Sequence, residues 1–113
     1  MEQDIKVLIV DDNETVSRIT AVMLNNFKVS SNVEFAKTGK QAIDMIKSGA
    51  YGVVFMDVRM PDMDGVEITG IVVNNLLDKS PRIFGLSMYD NQFCIEKFRL
   101  AGANGYILKN KLG

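Results

Sequence analysis

The sequence predicts a single α/β domain built around a parallel β-sheet. Short apolar runs of strand length alternate with segments whose apolar residues repeat at helical spacing, and glycine or proline separates many of them. Five strands that alternate with helices imply right-handed crossovers and a parallel sheet covered on both faces. At 113 residues the chain is long enough for one such core and too short for a second folded unit.

The first strand is predicted at residues 7–10, which form an uninterrupted apolar run. Residues 12–14 then offer side chains that cap helices, and Val16, Ile19 and Met23 recur at helical spacing. A helix is therefore predicted after the first strand.

The second strand is predicted at residues 33–36. Thr38 is suited to open the helix that follows, because threonine is a common N-cap residue. Ala42 and Ile46 are spaced for one face of this helix, and Gly49 is its expected stop.

The third strand is predicted at residues 52–56. Pro61 and Gly65 mark the loop after it, and a helix is expected over residues 66–77. A Ser-Pro pair ends that helix before the fourth strand, which is predicted at residues 83–86.

The last helix is expected over residues 91–101, where Cys94 and Phe98 share one face because they are four residues apart. Gly102 closes this helix, and the fifth strand follows at residues 106–108. No repeat, linker or low-complexity segment interrupts the alternation.

The composition excludes several classes of function. Thirteen basic and fourteen acidic residues give a net charge of -1, so we expect no direct contact with nucleic acid and no polybasic membrane patch. No stretch is long enough to span a membrane, and the acidic N-terminus lacks the features of a secretory signal. Histidine is absent and cysteine occurs once, which excludes histidine catalysis and multi-cysteine zinc sites and favours a cytoplasmic protein.

Polar side chains follow four of the five predicted strands. Asp11 and Asp12 follow the first strand, Asp57 the third, Ser87 the fourth and Lys109 the fifth. Because the carboxyl ends of parallel strands share one edge of the sheet, we expect these side chains to lie together there. Each residue alone has an ordinary interpretation as a cap, a turn or a surface residue. Their coincidence at separate strand ends favours a functional site.

Three carboxylates in one place repel one another unless a cation compensates them, and a site made of oxygen ligands suits Mg²⁺. Once the metal offsets its charge, an oxygen of Asp57 can attack an activated phosphoryl group. Phosphoryl transfer depends on positioning and on positive charge around the phosphoryl oxygens. Lys109 and the metal would supply that charge, and Ser87 a hydrogen bond.

At these positions the chain resembles the receiver domain of two-component response regulators. The most specific part of the resemblance is the motif DVRMPDMDG at residues 57–65. The resemblance covers nearly the whole chain, through residues 7–12, 86–87 and 101–109. The segments at 86–90 and 105–109 look most like receivers that precede helix-turn-helix transcription factors.

The resemblance implies a flavodoxin-like, doubly wound sheet with the strand order 2-1-3-4-5. It implies that Asp57 is the phosphoacceptor. It also implies that Asp12 and Asp57 ligate Mg²⁺ directly, together with the backbone carbonyl of Arg59, and that Asp11 helps through water.

By the same resemblance, Ser87 and Lys109 contact the phosphoryl group, and Ser87 and Tyr106 form the switch that follows phosphorylation. The implied phosphoryl donor is a sensor histidine kinase or a phosphotransfer protein. The conformational change would control an output such as transcription.

The chain departs from the family pattern after its last strand. Asn110 stands where receivers usually have proline after the lysine, and a cis peptide bond is far less favourable before asparagine. Family members normally carry a fifth helix, whereas this sequence stops at Gly113. We therefore expect residues 1–113 to be a receiver domain that ends before that helix. The apolar face left bare would be a candidate surface for self-association.

Two other functions stay open. One is a Mg²⁺-dependent phosphatase with an aspartyl-phosphate intermediate, but such enzymes commonly use an acid two residues after the nucleophile, where this chain has Arg59. The other is a receiver-like interaction module that takes no phosphate. Such a module would be expected to lack Asp12, Asp57 or Lys109, and all three are present. We therefore predict a phosphoacceptor signalling domain and not an enzyme, with its own phosphorylation and dephosphorylation as its only reactions.

Overall fold

A computed structural model describes residues 5–13, 21, 32–49, 51–58, 60, 62–87 and 92–108. The strands are β1 (Val7–Val10), β2 (Val33–Ala36), β3 (Val53–Asp57), β4 (Arg82–Ser87) and β5 (Gly105–Leu108). The helices are α1 (Gly39–Ser48), α2 (Gly65–Leu76) and α3 (Gln92–Ala101), and a short 3-10 helix (Leu77–Lys79) follows α2. Among the described residues, no helix is both long enough and apolar enough to cross a membrane.

The five strands form one parallel sheet in the order β2-β1-β3-β4-β5. The α/β fold class and the flavodoxin-like strand order expected from the sequence are therefore confirmed. The register places Asp57 of β3 beside Leu86 of β4 and Ser87 of β4 beside Leu108 of β5. Because the strands are parallel, their carboxyl ends share one edge of the sheet, called the carboxyl edge below.

One face of the sheet carries all three described helices. Ile46 of α1, Ile68 of α2 and Phe98 of α3 are buried in one apolar cluster with side chains of the strands, among them Leu8 and Val54. Burying one side chain of this kind contributes about 1.5–3 kcal/mol. This packing holds the helices on the sheet and so determines where their N-terminal ends lie relative to the carboxyl edge.

The opposite face carries a second apolar cluster made of Val7, Ile9, Phe55 and Leu86. Ala21 is helical and packs against this cluster, as expected for the helix predicted after the first strand. The rest of that predicted helix lies outside the described residues.

The ends of β3, β4, β5 and α2 differ from the prediction by one residue, and contacts at β3 and α2 explain two of these differences. β3 continues through Asp57, because Asp57 still pairs with Leu86. α2 starts and ends one residue earlier than predicted. The carboxylate of Asp64 accepts a hydrogen bond from the N–H of Glu67 at 2.9 Å, which makes Asp64 the N-cap. Leu77 has a φ of 52°, outside the right-handed helical region, so α2 ends before it.

Candidate functional site

The carboxyl edge brings together the three acidic residues that the sequence places at strand ends. Asp11 and Asp12 follow β1, and Asp57 is the last residue of the neighbouring strand β3. One carboxylate oxygen of each residue lies within 4.8 Å of the others. Asp11 and Asp57 have 2% and 8% of their surface exposed, whereas Asp12 is exposed. These three residues form a half-open acidic pocket.

Hydrogen bonds of Asp11 keep it at the edge while the chain turns away after β1. Its N–H donates to the carbonyl oxygen of Ala36 at 3.0 Å, which continues the pairing of β1 with β2. Its carboxylate accepts a hydrogen bond from the N–H of Asn13 at 2.9 Å, an arrangement typical of aspartate in turns. Asp11 therefore has the ordinary turn role and also lies in the acidic pocket.

The chain returns to the end of β3 at the start of α2. The N–H of Val58 donates to the carbonyl oxygen of Leu86 at 3.2 Å, and the carbonyl of Val58 accepts from the N–H of Gly65 at 2.8 Å. A Cβ atom at Gly65 would collide with the carbonyl oxygen of Asp57. Only glycine permits this close approach of the two backbone segments. The loop of residues 58–64 therefore begins and ends beside Asp57.

The geometry of the acidic pocket fits Mg²⁺. Ionised carboxylates this close repel one another, and a divalent cation offsets the repulsion. Oxygen ligands lie about 2.0–2.1 Å from Mg²⁺, so two of them are at most about 4.2 Å apart. The three carboxylate oxygens lie within 4.8 Å of one another. Carboxylate oxygens at this spacing can share one ion, directly or through a bound water.

Of the other residues of the predicted site, the structure describes the backbone position of Ser87. Ser87 is the last residue of β4, the strand that pairs with β3, and lies beside Leu108 of β5. Its backbone is therefore at the carboxyl edge, one strand from Asp57. Arg59 and Lys109 lie outside the described residues.

Tyr106 of β5 is half-buried and contacts the ring of Phe98. The two rings meet edge to face, with centroids 5.9 Å apart and planes at 64°, a favourable geometry for an aromatic pair. Phe98 is fully buried, whereas Tyr106 lines a surface depression together with Arg99 and Asn104. A rotamer change of Tyr106 would therefore alter the surface beside α3.

Asp62, in the loop after β3, makes contacts that no sequence pattern predicted. Its carboxylate accepts hydrogen bonds from the N–H of Gly39 at 2.7 Å and from the N–H of Lys40 at 3.0 Å. These two bonds, that of Gly39 first, hold the pKa of Asp62 below its ordinary value. The donors are 23 and 22 residues away in the chain, so no local pattern could have indicated them.

The chain belongs to the response regulator receiver domain family, whose model matches residues 7–111. PilG of Pseudomonas aeruginosa is 32% identical over 112 residues, which cover 96% of this chain and 82% of PilG. The autoinducer 2 sensor kinase/phosphatase LuxQ of Vibrio parahaemolyticus is 32% identical over 108 residues, which cover 96% of this chain but only 12% of LuxQ.

A solved structure shows the same fold. It contains the receiver domain of the Saccharomyces cerevisiae response regulator Ssk1 together with the histidine phosphotransfer signaling protein Ypd1. The TM-score is 0.82 at 27% identity, and the match covers 96% of this chain and 81% of that chain. The chain is therefore a receiver domain, homologous to the phosphoacceptor domains of two-component systems. The family predicted from the motif at residues 57–65 is confirmed.

Proposed function

We propose that this receiver domain accepts a phosphoryl group on Asp57 in a Mg²⁺-dependent reaction, and that phosphorylation switches its conformation to control an output. The observation that most directly supports the proposal is the convergence of Asp57 with Asp11 and Asp12 at the carboxyl edge. A buried carboxylate whose charge is compensated by a cation can act as a nucleophile toward phosphorus.

The proposed phosphoryl donor is a phosphohistidine on a sensor histidine kinase or a phosphotransfer protein. The chain has no histidine, so the donor residue lies outside these 113 residues. A carboxylate oxygen of Asp57 forms a bond to phosphorus while the bond from phosphorus to the donor's imidazole nitrogen breaks. The electron pair of the broken bond stays on that nitrogen. The likeness to LuxQ, named as a sensor kinase/phosphatase, and to the Ssk1 receiver bound to a histidine phosphotransfer protein supports this donor class.

The acidic pocket would hold Mg²⁺ through Asp12 and Asp57, with the backbone carbonyl of Arg59 as a further ligand. Asp11 would act through a bound water, and its hydrogen bond from the N–H of Asn13 orients its carboxylate. The bound ion supplies positive charge to the oxygens of the phosphoryl group. These residues thereby orient the Asp57 oxygen toward the incoming phosphorus.

Ser87 and Lys109 are proposed to contact the transferred group. The hydroxyl of Ser87 would donate a hydrogen bond to a phosphoryl oxygen, and the ammonium of Lys109 would balance its charge. The order of the sheet supports this, since β4 and β5 follow β3 in it. In the same proposal the ring of Tyr106 changes rotamer with phosphorylation, and the change reaches the surface beside α3.

Residues 1–113 act as one receiver domain in this proposal. Three finer expectations from the sequence stay predictions: a cytoplasmic location, a transcriptional output, and self-association through the face that carries Phe55 and Leu86. Sedimentation of the chain with and without phosphorylation would check the last of these.

Intact-mass spectrometry after incubation with acetyl phosphate tests the phosphoacceptor role. We expect one added phosphoryl group that requires Mg²⁺ and is missing in Asp57→Asn. Asp64→Asn is the matched control, because Asp64 is a carboxylate of the same loop that caps α2, and this variant should keep the adduct. An adduct on Asp57→Asn would place the phosphoacceptor elsewhere. Absence of an adduct on the wild type would favour an interaction module that takes no phosphate.

A further inference from the structure

The loop that follows Asp57 is joined to α1 by a pair of hydrogen bonds, called the loop clasp below. Asp62 uses both carboxylate oxygens, Oδ1 for the N–H of Gly39 and Oδ2 for the N–H of Lys40. Both donors belong to the first turn of α1, whose N–H groups find no partner within the helix. A carboxylate in this place gains from charge-assisted hydrogen bonds and from the helix dipole.

The close contact of the loop with α1 also requires that residue 39 has no side chain. A Cβ atom at Gly39 would collide with Cγ of Met63 and would lie 3.0 Å from Cδ1 of Ile68. Met63 follows Asp62 in the loop, so a side chain at position 39 would push this part of the loop away from α1. Two adjacent loop residues, one acidic and one apolar, are thus fitted to the same end of α1.

α1 also has a cap of its own, which makes the loop clasp distinct. Oγ1 of Thr38 accepts a hydrogen bond from the N–H of Gln41 at 3.1 Å, and Oε1 of Gln41 accepts one from the N–H of Lys37 at 2.9 Å. Such local bonds stabilise the start of a helix without reaching another element. The loop clasp instead links α1 to the segment that follows Asp57.

We propose that Asp62 is a positioning residue for the Mg²⁺ site, an inference that rests on the proposed function. The loop is held at Val58 by hydrogen bonds on both its N–H and its carbonyl, and at Asp62 by the loop clasp. The segment between these two points of attachment directly follows Asp57, a residue of the acidic pocket. Holding this segment at Val58 and at Asp62 restricts the movement of the backbone beside the pocket, and so raises the affinity of the pocket for Mg²⁺.

The competing explanation is that Asp62 only caps α1. The N–H groups of Gly39 and Lys40 hold the pKa of Asp62 below its ordinary value, so the carboxylate stays ionised and accepts both bonds at neutral pH. That favourable interaction stabilises the fold under either explanation. The two explanations differ only in whether loss of the carboxylate changes the affinity for Mg²⁺.

Titration of the full chain with Mg²⁺ by isothermal titration calorimetry distinguishes a positioning role of Asp62 from a role as a helix cap only. We expect Asp62→Ala to raise the Kd for Mg²⁺ about tenfold, the lower end of the range for residues that orient metal ligands. Asp62→Asn keeps one oxygen acceptor and should give an intermediate Kd. At saturating Mg²⁺, phosphorylation by acetyl phosphate should return close to the wild-type rate, because the loop clasp acts on ion affinity.

The matched control is Thr38→Ala, which removes a hydrogen bond from the same end of α1 but leaves the loop clasp in place. We expect Thr38→Ala to lower the Tm without changing the Kd for Mg²⁺. Gly39→Ala disturbs the loop clasp from the α1 side. Its methyl group displaces Met63 while Asp62 is retained. It should raise the Kd in the same direction as Asp62→Ala.

Three results would overturn the inference. If the wild type binds Mg²⁺ and Asp62→Ala binds it equally well, Asp62 is only a helix cap. If Thr38→Ala weakens binding as much as Asp62→Ala does, the stability of α1 matters and the link to the loop does not. If the wild type binds no Mg²⁺, the proposed function fails and this inference fails with it.

Discussion

The two ends of the sheet carry charged side chains in opposite arrangements. At the carboxyl edge, three carboxylates lie within 4.8 Å of one another. Near the amino ends of β1, β2 and β3, Lys6, Glu34 and Tyr51 form a group of complementary partners, called the amino-edge cluster below. The hydroxyl of Tyr51 donates a hydrogen bond to the carboxylate of Glu34. Nζ of Lys6 lies 3.8 Å from Oε2 of Glu34 and 4.7 Å from the centroid of the Tyr51 ring.

The two ends of the sheet therefore differ in role. The amino-edge cluster stabilises the fold, whereas the carboxyl edge has the charge arrangement of a functional site. Contacts between complementary groups stabilise the fold and need no further component. Like charges held together destabilise the fold and favour the binding of a cation, and such arrangements are typical of functional sites. We therefore expect the carboxyl edge to respond to Mg²⁺ and the amino-edge cluster to respond to pH and salt.

The largest effect is expected from Mg²⁺ itself. At a Mg²⁺ concentration a hundred times its Kd, the free energy of unfolding should rise by about 2.7 kcal/mol, because the ion binds only the folded pocket. Asp12→Asn removes the charge of a proposed ligand and should abolish this increase. Urea denaturation with and without Mg²⁺ measures both. Glu34→Gln, a change in the amino-edge cluster, should keep the full increase, and an increase retained by Asp12→Asn would remove Asp12 from the proposed ligands.

The next effect concerns the hydroxyl of Tyr51. Tyr51→Phe removes a hydrogen bond to a carboxylate while it keeps the buried ring, and bonds to charged groups contribute about 1.5–3 kcal/mol. We expect a loss of free energy of unfolding at the lower end of that range, about 1.5 kcal/mol, with no change in the Kd for Mg²⁺. A Kd that changes would show that the two ends of the sheet are coupled.

The stability that the hydroxyl of Tyr51 contributes should also depend on pH. Burial, the hydrogen bond to Glu34 and the charge of Glu34 raise the pKa of Tyr51 from 10.0 to about 12. A raised pKa contributes stability that is fully present below pH 10 and is lost as the pH rises toward 12. The wild type should therefore lose stability over this interval more steeply than Tyr51→Phe does. If the stability of the two proteins fell equally steeply with pH in alkaline denaturation, the raised pKa would not belong to the hydroxyl of Tyr51.

The smallest effect is expected for Lys6. Its ion pair with Glu34 is partly exposed, since 32% and 44% of the two side chains are accessible. Exposed ion pairs contribute about 0.2–1 kcal/mol and are weakened by salt. Lys6→Gln should therefore lower the Tm slightly at low ionic strength, and the difference from the wild type should shrink in concentrated NaCl. A difference that does not depend on salt would point to the contact of Lys6 with the Tyr51 ring.

The elements of the fold were predictable from local patterns. Apolar periodicity and cap residues depend on neighbours a few positions away, so the ends of the described strands and helices lie within one residue of prediction. The one-residue shifts have more than one cause, since the cap by Asp64 at the start of α2 is local whereas the extension of β3 depends on a tertiary contact. β3 extends to Asp57 because β4 offers it a partner, and no residue beside Asp57 in the chain indicates this.

The candidate site was only partly predictable. The residue types after β1 and β3 identified Asp11, Asp12 and Asp57, but that these strands are neighbours followed from the resemblance to receiver domains. Local pattern identifies the end of a strand and does not identify the strand beside it. The roles of Ser87 and Lys109 stay predictions for the same reason, since they depend on geometry across several strands.

The order of residues along the chain was sufficient to define the strands, the helices, the acidic strand ends and the family. The folded chain was needed to bring Asp62 to the first turn of α1 and to bring Lys6 and Tyr51 to Glu34. These contacts join residues far apart in the sequence. They depend on strand register and on where each crossover returns to the sheet, and both are set by packing against the common core.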